Sequence, residues 1–188
     1  MNTTLAHWLS TIAHPFVMTA VLVAVAAARQ SSPSAVRPML LVTVAVIVPV
    51  AVLMVRQVRR GRWTNHDASN ASERPLLFLV SMAGLAAAVA WLLRYDPESF
   101  LLRGLLVVAG FIVVAAILTR WIKVSLHVAF AALTATALAL IGSPVGLALI
   151  PLVPVLAWAR LVLTRHSLPE VVVGCALGAA TGCTLVWW

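Results

Sequence analysis

The stretch Ala159–Gly174, ARLVLTRHSLPEVVVG, gathers Arg160, Arg165, His166 and Glu170 within eleven residues, with an apolar run on each side. A charged side chain at the centre of a bilayer costs roughly 2.5–3.5 kcal/mol even on a lenient insertion scale. The cluster must therefore sit at a membrane surface, where one apolar helix ends and the next begins, or be there for a purpose. Pro169 places the break more closely. Proline fits the first turn of a helix and not its interior, so the chain is expected to bend near Ser167–Leu168 and start a new helix there. Arg160 then ends one helix, His166 lies in the bend, and Glu170 sits in the first turn of the next. On one straight helix Arg160 and His166 would point to different faces; across a bend they converge with Glu170.

The rest of the chain repeats the apolar pattern. Of 188 residues, 63% are hydrophobic and 10% charged, and the mean hydropathy is +1.06. An ordinary soluble domain is about 25% charged. A membrane-crossing helix needs about 20 mostly apolar residues. Seven runs are candidates, at 8–28, 38–56, 75–93, 101–119, 125–142, 145–163 and 170–188. His7, Trp8 and the His14-Pro15 pair interrupt the start of the first. Backbone groups in lipid must be hydrogen-bonded within their own segment, and the runs lack the alternation of outer-membrane strands. The expected fold is all-α: one polytopic transmembrane helical bundle of about six to seven spans over residues 1–188, with no soluble domain. Gly142-Ser143-Pro144 should form a tight turn, and Pro151 and Pro154 should kink the sixth span. MNTTLAHWLS lacks a basic n-region, so a cleavable signal peptide is not expected. Cys175 and Cys183 lie eight residues apart on one helix, about 12 Å by the helical rise, too far for a disulfide. They are expected to be small packing residues, and Trp121, Trp187 and Trp188 to be interfacial aromatics at span ends.

The net charge of +8 belongs to loops rather than to an aromatic-interleaved basic patch. Anionic lipid head groups are therefore the expected partner, and nucleic acid is not. Loops after even-numbered spans share a side with the amino terminus. They carry three polar clusters, Arg56–Arg74, Arg120–His127 and Arg160–Glu170, with His66, His127 and His166. The odd loops hold Arg29, Arg37, Arg94, Asp96, Glu98 and Arg103, and no histidine. An anion site on one face of the bundle is the expectation. Nine basic residues on that side against four on the other place it in the cytoplasm by the positive-inside rule. Arg56, Arg59, Arg60 and Arg62 are expected to be topology charges and Arg165 an anchor. His66 and Asp67 belong to a solvated loop, and His14 is expected to cap or pack near the first span.

The residue types in the clusters point to phosphate chemistry. Glu170 near a helix N-terminus is favoured as the anion, and a carboxylate beside an imidazole fixes its tautomer and activates the other nitrogen. In WIKVSLHVAF, Trp121–Phe130, Ser125 and His127 open the fifth span, where backbone N–H groups favour an anion. Two histidines facing each other across an Arg-lined pocket suit phosphoryl transfer: one attacks phosphorus and the other protonates the leaving oxygen. Arginine forks neutralise the remaining oxygens. No metal or other cofactor is expected, since cationic side chains take its place and the carboxylates are too few for a magnesium cage.

The order of these residues resembles the type 2 phosphatidic acid phosphatase superfamily, whose core is shared with vanadium haloperoxidases. That family carries Lys, six residues, Arg-Pro; then Ser-Gly-His; then Ser-Arg, five residues, His, three residues, Asp. Here the third motif reads Ala159-Arg160, five residues, His166, three residues, Glu170, followed by Gly174; the second reads Ser125-Leu126-His127; the first survives as Arg74-Pro75. The resemblance implies that His166 is a nucleophile forming a phosphohistidine, that His127 is the general acid, and that Glu170 orients His166. It implies that Arg74, Arg160 and the backbone near Ser125 hold the phosphate. Asp67 stands where the family has its lysine, which leaves Lys123 as a candidate replacement; Ala159, Leu126 and Glu170 are the other departures. The implied activity is metal-independent hydrolysis of a lipid phosphomonoester or diphosphate at the inner (plasma) membrane. Phosphatidate, phosphatidylglycerol phosphate, a polyprenyl phosphate or diphosphate, and a prenyl-linked sugar phosphate all fit as substrates. The alternatives are a non-hydrolytic lipid-phosphate binder, a small transporter, or a lipid phosphotransferase. A binder needs the arginines but not paired imidazoles, which favours the enzyme. Oligomeric state is not legible in the sequence.

Overall fold

The computed structural model describes residues 2–30, 33–65, 67–68, 70–96 and 99–187. His66, Glu98 and Trp188, named above, lie outside the described residues. Within them the chain is helical, without a strand. The elements are α1 Thr3–Ile12, α2 Pro15–Ala28, α3 Pro33–Arg59, a 3-10 turn at Ala71–Glu73, α4 Arg74–Tyr95, α5 Phe100–Leu118, α6 Leu126–Leu140, α7 Pro144–Leu149, α8 Leu152–Val162 and α9 Leu168–Trp187.

Five segments are long and apolar enough to cross a membrane: Val36–Arg59, Ala71–Tyr95, Phe100–Leu118, Pro144–Val162 and Leu168–Trp187. α1 and α2, bent by 42°, add a sixth as one broken span. The chain is therefore a multi-pass helical membrane protein, as expected. The shortfall from seven lies in the run 125–142. α6 has 15 residues, roughly 22 Å of helix, against about 30 Å of hydrocarbon. Pro151 divides the sixth run into α7 and α8, because it brings no backbone donor to the helix.

Two compact units form, one from Met1–Arg29 with Arg120–Trp188 and one from Gln30–Thr119. In the first, α6 is the centre: ten of its residues are buried, and α2, α7, α8 and α9 pack around it while α1 lies on α8. Its sequence, LHVAFAALTATALAL, is rich in small residues, which lets neighbours come close. α9 answers with Gly174, Gly178 and Gly182 at a spacing of four. A Cβ at Gly174 would stand 2.7 Å from the Ser125 carbonyl oxygen, and one at Gly178 would overlap the Ala129 carbonyl. Small residues on facing helices permit this backbone contact in membranes. α2 runs parallel to α6. The Thr134 hydroxyl donates to the Met18 carbonyl at 3.2 Å, and the Arg29 guanidinium donates to the Ile141 carbonyl, one of the orphan acceptors at a helix C-terminus. The turn at Gly142-Ser143-Pro144 is present, with Gly142 at φ +73° and Ser143 N–H bonded to the Leu138 carbonyl at 2.9 Å.

In the second unit α4 packs against α3 and α5. Leu40, Leu41, Val44 and Val48 of α3 and Leu79 and Leu93 of α4 remain exposed, the composition of lipid-facing surface. The segment before α4 is organised by Glu73. Its carboxylate accepts from the Thr64 N–H at 3.0 Å, the Thr64 hydroxyl at 3.2 Å and the Asn70 N–H at 3.3 Å. These donors satisfy a carboxylate that is 5% exposed, as burial of a charge requires.

Candidate active site

The site in the first unit is built from a bend and a helix start. α8 stops at Val162, and Thr164 takes φ +53°. The Arg165 N–H then donates back to the Arg160 carbonyl at 3.1 Å, and Pro169 enters the first turn of α9. The bend thus falls where the sequence places it. His166 lies in it, buried. Its Nδ1 stands 2.8 Å from Glu170 Oε2, and the same oxygen accepts the Ser167 N–H at 3.1 Å. With the carboxylate fixed by the backbone, a proton on Nδ1 points at Glu170.

Compared with known proteins, the chain matches no family model, no curated protein and no solved structure.

The start of α6 is tied to the start of α9. The Ser125 N–H donates to the Glu170 carbonyl at 3.1 Å. Ser125 is fully buried, its hydroxyl makes no capping bond to α6, and among the described residues that oxygen has no hydrogen-bond partner. A buried polar group left so costs roughly 1–3 kcal/mol, and such a group asks for an explanation; a donor waiting for an anion is one. Lys123, just before α6, donates to the Arg165 carbonyl at 2.8 Å and stands 3.8 Å from Glu170 Oε2. It therefore joins the cluster through the carboxylate, as the cation behind the His–Glu pair.

Arg160, in the last turn of α8, is 1% exposed. At this bend the structure brings together an imidazole, a carboxylate and an ammonium, those of His166, Glu170 and Lys123. Among the described residues no group of three or more His, Cys, Asp or Glu side chains is arranged to hold a metal ion. Arg74 belongs to the second unit. It opens α4, is buried, and its Nε donates to the Ala68 carbonyl at 3.4 Å.

His127 is the second residue of α6 and is buried. Its ring meets that of His14 edge-to-face, with centroids 5.2 Å apart and planes at 88°. His14 caps α2, as the sequence leads one to expect: its Nδ1 accepts the Phe16 N–H at 3.3 Å. Its contact with His127 is what the sequence does not reveal. The one available signal is a His-Pro pair breaking an otherwise apolar run.

Proposed function

We propose that this protein is an integral-membrane lipid-phosphate phosphatase of the type 2 phosphatidic acid phosphatase kind. The observation that carries the reading is the buried His166 whose Nδ1 is held 2.8 Å from Glu170. His166 Nε2 attacks phosphorus in line, and the bond from phosphorus to the lipid oxygen breaks. His127 gives its proton to that oxygen. Water then attacks the phosphohistidine, His127 takes back a proton, and inorganic phosphate leaves. Arg160 and the Ser125 hydroxyl hold the non-bridging oxygens as charge develops. Glu170, backed by Lys123, stabilises the imidazolium and keeps the ring oriented.

Depth supports a lipid substrate. α9 has 20 residues, roughly 30 Å, enough to cross the hydrocarbon. Glu170 in its first turn therefore lies near the head-group plane, where phosphatidate, phosphatidylglycerol phosphate and polyprenyl phosphates all present their phosphorus. Phosphate release from these lipids by purified protein should persist in excess chelator and be inhibited by vanadate, which mimics five-coordinate phosphorus. Loss of activity in chelator with recovery on adding magnesium contradicts the site.

The active face is assigned to the cytoplasm. Thr4 and Ala28 are exposed at opposite ends of the α1–α2 pair, with Thr4 on the site side of His14. With Cys175 and Cys183 removed, an impermeant thiol reagent on intact cells should label Ala28→Cys and not Thr4→Cys. The reverse pattern places the active face outside.

A further inference from the structure

We infer that His14 is a positioning residue for the proposed general acid, holding the His127 ring in the orientation that delivers a proton to the leaving oxygen. The inference rests on the phosphatase reading above and adds to it a residue outside all three motifs.

The bend that carries His14 is clamped from both sides. α1 lies on α8 and α2 lies on α6. Ala13, beside it, is fully buried in a cluster with Met18, Val128 and Leu156. Pro15 sets the first turn of α2, and His14 itself is the cap, with extended backbone at φ −62°, ψ 144°. Because Nδ1 accepts the Phe16 N–H, the neutral ring carries its proton on Nε2 and is not at liberty to turn over. Phe16 supports it in an edge contact, centroids 4.7 Å apart. The His14 ring is thus a fixed wall, and the His127 ring rests against it near perpendicular, the arrangement aromatic pairs prefer.

His127 has needs that such a wall meets. It sits in the first turn of α6, where it must alternate between holding and giving a proton at one position. Proton transfer depends on the ring pointing at the leaving oxygen within hydrogen-bond reach, and a small misplacement of a reacting group costs much of the rate. A neutral ring wedged against its side restricts the rotamer without adding a charge that competes with the phosphate. If His14 acted only in packing, its removal would slow every substrate alike.

The test compares two probes with the full-length protein in detergent micelles: dioleoyl phosphatidate, a poor leaving group, and 4-nitrophenyl phosphate, which needs little protonation. His14→Asn retains a capping oxygen for α2 and removes the ring. General acids contribute roughly 10²–10⁴-fold, so His14→Asn should lower kcat on phosphatidate by about tenfold or more and on the nitrophenyl ester by less than about threefold. His14→Phe, which keeps a ring, should recover most of the phosphatidate rate. Adding His14→Asn to His127→Ala should cost nothing further. Equal losses on both probes, or an additive loss in the double variant, overturn the role of His14. Wild-type activity that is absent, or that survives His166→Ala, removes the phosphatase reading and this inference with it; a His166-dependent activity with an unchanged probe ratio in His14→Asn removes this inference alone.

Discussion

Two bends in the first unit are built alike and end differently. At each, a histidine lies just ahead of a helix with proline in its first turn: His14 immediately before Pro15 of α2, and His166 two residues before Leu168, the start of α9. At the first bend the histidine supplies the cap, with Nδ1 accepting the Phe16 N–H. At the second, Glu170, in the first turn of α9, accepts the N–H of Ser167 ahead of the helix and also holds the imidazole. The choice of capping group decides what the imidazole can do. A histidine that caps has one nitrogen committed to the backbone and becomes scaffold. Under the proposed chemistry, a histidine held by a neighbouring carboxylate uses the opposite nitrogen for attack.

The strongest way to break this comparison is to delete each imidazole. Under the proposed chemistry His166→Ala should bring phosphate release to background and abolish any acid-labile phosphoenzyme. Retention of a phosphoenzyme in that variant moves the nucleophile elsewhere. Glu170→Gln separates the two tasks of the carboxylate. The amide oxygen can still accept the Ser167 N–H, while the charge that stabilises the imidazolium is gone. A loss of about 10²-fold in kcat is expected, the lower range for acid–base and orienting groups, with the fold intact by thermal melting. An unchanged rate would make Glu170 a cap and nothing more.

Both bends depend on α6, and α6 depends on its contact with α9. A Cβ at Gly178 has no room beside the Ala129 carbonyl. Gly178→Leu should therefore lower stability in detergent by about 3 kcal/mol, the upper part of the range for overpacking, with activity lost in proportion to unfolded protein. A melting temperature equal to the parent would mean that the helices separate without penalty.

How far the sequence carries depends on whether a feature is local. The all-helical membrane class, the bend at Ser167–Leu168, the turn at Gly142 and the break at Pro151 follow from runs of apolar residues and from what proline and glycine permit over a few positions. The convergence of His166 and Glu170 is equally local, an i, i+4 pair across a capped start. Three things are not local. α6 has the composition of a span yet only 15 helical residues, because its buried, small-residue surface is made for other helices rather than for lipid. The His14–His127 contact joins residues of distant segments through the parallel packing of α2 on α6. Glu73 is an acid beside a basic run in the sequence, and its role as the organiser of residues 64–73 depends on donors brought to it by the fold.

The smallest expected effect concerns the cation behind Glu170 at the second bend. Lys123 stands behind Glu170 at 3.8 Å, with both side chains partly exposed at 23% and 18%. Two roles for Lys123 predict different magnitudes. A partly exposed ion pair is worth about 1 kcal/mol at most, which is about fivefold in a rate. A group that touches the phosphoryl oxygens in the transition state is worth roughly 10²–10³-fold. Lys123 already donates to the Arg165 carbonyl at 2.8 Å, a bond that directs its ammonium toward the turn that carries His166. Lys123→Gln should accordingly lower kcat by less than about fivefold and leave KM near the parent value, in steady-state assays on a lipid phosphate. A loss of a hundredfold or more with a raised KM would place Lys123 on the phosphate itself, in the role left vacant by Asp67.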